Sequence, residues 1–185
     1  MNLYIILCGS ALSFMEDKVL SEKSPLFGRR DSQIKLDAFD YLESFKAAVT
    51  DDTIGIMIEP VQGEGGVNPA TEKFMTGLRK LCDEKGILLL LDEVQTGWCR
   101  TGAVMSYMNY GVKPDIVSMA KAMGGGMPIG AICATAEVAK AFTPGSHGTT
   151  YGGHPVACAA SLAQIGELLD RDLAGNAKKM HVKIN

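Results

Sequence analysis

Short apolar runs alternate along the chain with stretches whose apolar residues recur every three to four positions, and the two periods separate strands from helices. Leu3 to Cys8 is a short apolar run that fits a buried strand, and the mixed polar stretch Met15 to Lys35, with Pro25 and Gly28, reads as loop. Asp40 is placed to cap a helix carrying Leu42, Phe45, Ala48 and Val49 at helical spacing. Ile54 to Ile58 is a strand ended by Pro60 and followed by the turn Gly63-Glu64-Gly65-Gly66. Thr71 starts a second helix with Phe74, Leu78, Leu81 and Cys82 on one face, and Gly86 stops it. Ile87 to Leu91 is apolar without alternation, as expected of a strand buried on both faces.

The pattern continues with a helix from Thr101 to Tyr110, strands at Ile116 to Ser118 and Ile129 to Ala134, and a short helix from Glu137 to Phe142. Pro155 to Leu169 has proline at a first helical position and an almost wholly apolar face, which predicts packing against the sheet or a partner subunit. Strands and helices in alternation predict an α/β chain with a mostly parallel sheet and crossover helices. Ligands in such sheets collect at the carboxyl ends of the strands. No repeat, linker or low-complexity block divides the chain.

Composition narrows the classes. The chain has 185 residues, 46% hydrophobic and 21% charged, which suits one domain at most, or part of a larger one, and excludes disorder. The net charge of −3 comes with scattered basic residues, so there is no footprint for nucleic acid. No apolar run approaches the ~18 residues needed to span a bilayer. The five cysteines, Cys8, Cys82, Cys99, Cys133 and Cys158, include no CxxC pair and form an odd set, which reads as free, mostly buried thiols in a reducing compartment. Nothing basic precedes the apolar start, and no arginine- and serine-rich leader opens the chain, so a cytoplasmic location is expected.

Three sequences stand where strand ends are predicted. Glu59-Pro60-Val61-Gln62-Gly63-Glu64-Gly65-Gly66 is either a ligand-positioning turn or a surface loop whose glycines permit positive φ. Asp92-Glu93-Val94-Gln95-Thr96-Gly97 follows an apolar strand. A carboxylate emerging there is expensive without a partner, which favours a cationic ligand or an internal arginine such as Arg100. Ser118-Met119-Ala120-Lys121, with Gly124-Gly125-Gly126 behind it, presents either an amine nucleophile or an ordinary lysine at a helix start. It also matches the S-x-x-K pattern of serine–lysine hydrolases, but no S-D-N or K-T-G triplet accompanies it. The segment His147 to His154 offers hydroxyls and backbone amides suited to an anion, and its histidines lack the spacing of a metal site.

Taken in order, EPVQGEGG, LLLDEVQTG, PDIVSMAKAMGGGMPIGA and HGTTYGGHPVACA closely resemble the signatures of class-III, fold-type-I pyridoxal-phosphate aminotransferases. The nearest likeness is to acetylornithine and succinylornithine aminotransferases, with ornithine and 4-aminobutyrate aminotransferases as relatives. The resemblance covers Ile54 to Asn176 and implies the fold-type-I large domain. It further implies that Lys121 carries the cofactor and shuttles a proton, that Asp92 pairs with the pyridine nitrogen, that Val94 packs on the ring and that Gln95 lies near the phenolic oxygen. Thr150 would reach the cofactor phosphate of a neighbouring subunit, giving a homodimer with shared sites. Glu64 would pair with an active-site arginine and release it when the 2-oxoglutarate carboxylate binds.

The implied reaction is ping-pong transfer from an N-acetylornithine-like donor to 2-oxoglutarate, giving glutamate and the semialdehyde. Two departures stand out: His154 replaces an asparagine common before the proline, and Cys99 replaces a glycine common before the arginine. Family members are longer, so residues 1–185 are expected to form a partial large domain without the upstream segment or the small C-terminal domain. A noncatalytic remnant acting through protein contacts is the alternative reading from a different class.

Overall fold

A computed structural model describes residues 4–8 and 42–184. They form two compact units that divide between Leu89 and Leu90. The loop expected at Met15 to Lys35 and the Asp40 cap lie outside the described residues.

In the first unit, β1 (Tyr4–Cys8) pairs in parallel with β2 (Thr53–Ile58), running from Ile5 opposite Gly55 to Cys8 opposite Ile58. Helix α1 (Leu42–Ala48) buries Phe45, whose ring meets Phe74 edge to face at 5.5 Å. Helix α2 (Glu72–Lys85) has the ends that local chemistry dictates. Thr71 Oγ1 accepts the Phe74 N–H at 3.1 Å, and Gly86 at φ 65° returns its N–H to the carbonyls of Asp83 and Cys82. The buried face is Phe74, Met75, Leu78, Leu81 and Cys82. Thr71→Ala removes the cap acceptor and is expected to cost about 1 kcal/mol, readable as a lower midpoint in a urea melt. Between β2 and α2, β3 (Val61–Gln62) and β4 (Asn68–Pro69) form a small antiparallel hairpin around the glycine turn.

The division falls within β5 (Leu88–Asp92); in the second unit its Leu90, Leu91 and Asp92 pair in parallel with Ile116, Val117 and Ser118 of β6 (Ile116–Met119). β7 (Ala131–Ala134) runs antiparallel to β6. Met105, Val117 and Met119 form a buried cluster against which Trp98, Tyr107 and Met123 pack. Three helices follow: α3 (Ala136–Ala139), α4 (Pro155–Asp170) and α5 (Leu173–Ile184).

Several elements differ from expectation. β5 alternates, with Leu89 and Leu91 fully buried and Leu88 and Leu90 half-buried, so it is not covered equally on both faces. β7 begins at Ala131 and α3 is confined to Ala136–Ala139. The helix expected over Thr101 to Tyr110 is only a 3₁₀ turn, Ser106–Tyr110. Left-handed backbone at Trp98, Cys99 and Gly102 precedes it, and the Cys99 N–H closes a loop onto the Val104 carbonyl, so no helical ladder propagates through Thr101. α4 packs through Ala157, Ser161 and Leu168, whereas Leu162 is 73% exposed.

Candidate functional site

The site grows from the carboxyl ends of β5 and β6. Asp92 closes β5, and its Oδ1 accepts the Val94 N–H at 2.9 Å, which bends the chain out of the strand. Opposite it, β6 ends at Met119, and Lys121 opens a 3₁₀ turn, Lys121–Gly124. Lys121 has φ 43°, a left-handed conformation rare for a residue with a Cβ and one that collects at functional sites. Its exposed Nζ donates to Gln95 Oε1. The structure therefore joins the Asp92–Gly97 turn to Lys121 directly, and Val94 lies half-buried between Asp92 and Gln95 in the chain.

Gly125 follows the lysine turn at φ 58°, where a Cβ would also stand 3.2 Å from Gln164 Oε1 on α4. At Gly97 the constraint is close approach. A Cβ would lie 2.8 Å from the Glu93 carbonyl oxygen and 3.0 Å from Met105 Sδ.

The buried acid of this turn is Glu93, fully enclosed. Its Oε2 accepts Thr96 Oγ1–H at 2.6 Å and the Ser106 N–H at 3.0 Å, while Oε1 accepts the Tyr107 N–H at 2.8 Å. Burial pushes its pKa up, the three donors pull it back, and the neighbouring Asp92 charge adds to the rise. Burial also raises the phenols of Tyr107 and Tyr110, and the Glu93 charge reinforces both shifts. Arg100 is exposed, and the hydrogen bonds to the Glu93 carboxylate come from backbone amides and a hydroxyl. In the sequence Asp92 and Glu93 are adjacent acids of equal standing. The available signal was the pleat, which sends adjacent residues to opposite sides and leaves one of them to be satisfied internally.

Two other expected residues lie on exposed segments. Glu64 is exposed in the first unit, in the turn where Glu59 Oε2 accepts the Gly63 N–H at 3.2 Å. Thr150 lies in the exposed segment 143–154. Ser118 Oγ has no hydrogen-bond partner while Lys121 Nζ donates to Gln95, so the serine–lysine pair required by a hydrolase is not formed. Both departures in the motifs have a local meaning. Cys99 adopts φ 69°, a conformation that favours glycine. His154 occupies the N-cap of α4, where its side chain makes no capping hydrogen bond. Among the described residues, no group of three or more His, Cys, Asp or Glu is arranged to hold a metal, and no helix is long and apolar enough to cross a membrane.

The Aminotransferase class-III family model matches residues 13–185. An acetylornithine aminotransferase from Methanocaldococcus jannaschii is 53% identical over 127 residues, covering 69% of this chain and 32% of the relative. A succinylornithine transaminase from Salmonella paratyphi B is 46% identical over 169 residues, covering 91% of this chain and 38% of the relative. Among solved structures, an ornithine aminotransferase from Toxoplasma gondii superposes with TM-score 0.84 at 30% identity, covering 98% of this chain and 44% of that one. An acetylornithine aminotransferase from Elizabethkingia anophelis gives 0.82 at 32%, covering 97% and 45%. The chain thus spans less than half the length of these relatives.

Proposed function

We propose a function from one premise: the chain belongs to the class-III aminotransferase family. Its α/β architecture matches a partial chain of the fold-type-I large domain, and residues 1–185 are proposed to form part of that domain. The reading is pyridoxal-phosphate-dependent transamination between an N-acetylornithine-like donor and 2-oxoglutarate, giving glutamate and the semialdehyde. An acylated ornithine is preferred to ornithine or 4-aminobutyrate because the relatives at 53% and 46% identity are named for acetylornithine and succinylornithine.

The observation that carries this reading is the placement of the Lys121 amine and the Asp92 carboxylate at the carboxyl ends of two paired parallel strands. The donor set fits the cofactor: a primary amine for an aldehyde, a half-buried carboxylate for a protonated ring nitrogen, and an apolar side chain between them in sequence. When bound, pyridoxal phosphate supplies the reactive aldehyde and an electron sink for the carbanion left by proton removal. Lys121 Nζ would hold the cofactor until the substrate amine displaces it, and the freed amine would then take and return the substrate proton. The Asp92 carboxylate keeps the ring nitrogen charged, and its anchored Oδ1 fixes the direction of that charge. Val94 covers the ring face, and Gln95 orients the lysine amine and the phenolic oxygen.

Thr150 is assigned to the phosphate of a second subunit, in a homodimer with shared sites. Exposed Tyr151, Val156, Leu162 and Leu169 support such a contact. Glu64 is assigned to exchange an arginine partner when 2-oxoglutarate binds, and the cytoplasm is the proposed location. The test is to titrate the purified full chain with pyridoxal phosphate and then add glutamate. A new visible absorbance band that glutamate bleaches supports transamination. A band that glutamate leaves unchanged favours the noncatalytic reading, and no band overturns cofactor binding.

A further inference from the structure

We propose that Glu93 is the positioning residue of this site. Its buried carboxylate fastens the turn carrying Asp92, Val94 and Gln95 to the 3₁₀ turn Ser106–Tyr110. Five hydrogen bonds make the fastening. The side chain takes Thr96 Oγ1–H, Ser106 N–H and Tyr107 N–H, at 2.6, 3.0 and 2.8 Å. The main chain adds Glu93 N–H to the Ser118 carbonyl at 3.0 Å and Gly97 N–H to the Glu93 carbonyl at 2.9 Å. One residue therefore ties β6, its own turn and the 3₁₀ turn together.

The chemistry of the three donors requires an acid here. Ser106 and Tyr107 are the first residues of the 3₁₀ turn, whose N–H groups have no partner within it, and the Met105 N-cap offers no side-chain acceptor. A carboxylate accepts at both oxygens and also meets the positive end of the turn. An amide of the same size would turn an NH₂ toward one of those N–H groups, and an aspartate would be one methylene too short to span both sides. Consecutive side chains at a strand end project oppositely, so Asp92 is offered to a ligand while Glu93 is locked beneath it. Gln95 lies two residues further along the same turn and accepts from Lys121 Nζ, so looseness at Glu93 passes to the lysine amine.

The effect on cofactor affinity rests on the transamination reading, whereas the fastening itself does not. Two measurements on the full chain separate them. Amide hydrogen exchange without cofactor is expected to show Ser106 and Tyr107 exchanging roughly tenfold faster or more in Glu93→Gln than in wild type. With pyridoxal phosphate, Glu93→Gln is expected to bind roughly tenfold more weakly or worse and to shift the visible band, while Thr71→Ala, destabilised in the other unit, binds as wild type. Wild-type exchange at both amides, or an unchanged affinity and band in Glu93→Gln, overturns the proposal. If wild type itself takes up no cofactor, the transamination reading fails and exchange alone decides the fastening. If Glu93→Gln does not fold, Thr96→Val decides. Binding weakened roughly threefold or more supports the role, and wild-type binding with wild-type exchange overturns it.

Discussion

Replacing Lys121 with alanine is expected to remove both the visible band that pyridoxal phosphate gives the wild-type chain and all measurable half-transamination with glutamate. In the proposed reaction the amine would provide the covalent hold on the cofactor and the base that moves the substrate proton, and loss of proton transfer alone costs roughly 10²–10⁴-fold. Lys121 Nζ is held on the Asp92–Gly97 turn by its hydrogen bond to Gln95 Oε1, so its loss removes the amine placed there. A second substitution separates chemistry from folding. Lys121 has φ 43°, so Lys121→Gly relieves a backbone strain that Lys121→Ala retains. The glycine variant is therefore expected to be the more stable of the two by about 1 kcal/mol in urea melts, although both are equally inactive. A band that survives in either variant would show that the cofactor is held elsewhere.

That strain also marks the limit of what could be read from the residues. The ends of α2 were legible because Thr71 and Gly86 act on backbone groups within four residues of themselves. Asp92 and Lys121 were legible because each directly follows an apolar run, and a polar side chain at a strand end has to be accounted for. The 3₁₀ turn was not. Its apolar spacing imitates a helix, while its actual form follows from left-handed residues at Trp98, Cys99 and Gly102 and from an acid thirteen residues upstream of Ser106. Glu93 itself was hidden beside Asp92, since adjacent acids look alike until a pleat assigns them to opposite sides. The exposed leucines of α4 show the converse: apolarity in a sequence says that a face should be covered and leaves open by what.

Asp92→Asn is expected to separate the charge of this carboxylate from its shape. The Oδ1 that accepts the Val94 N–H is retained by asparagine, so the turn should persist and urea melts should move by no more than about 0.5 kcal/mol, as for substitutions that break no buried network. What disappears is the negative charge that the proposed reading sets against the cofactor's ring nitrogen. A hydrogen bond to a charged group is worth about 1.5–3 kcal/mol, so affinity for pyridoxal phosphate should fall roughly 10- to 150-fold. The rate of the glutamate half-reaction at saturating cofactor should fall further, because the charge matters most when electrons move into the ring. Asp92→Ala should match the loss of rate and add a loss of stability, since the Val94 N–H then has no acceptor. If Asp92→Asn bound and reacted as wild type does, the anchored carboxylate would be a turn-forming residue alone. Lys121 would then need a different electrostatic partner.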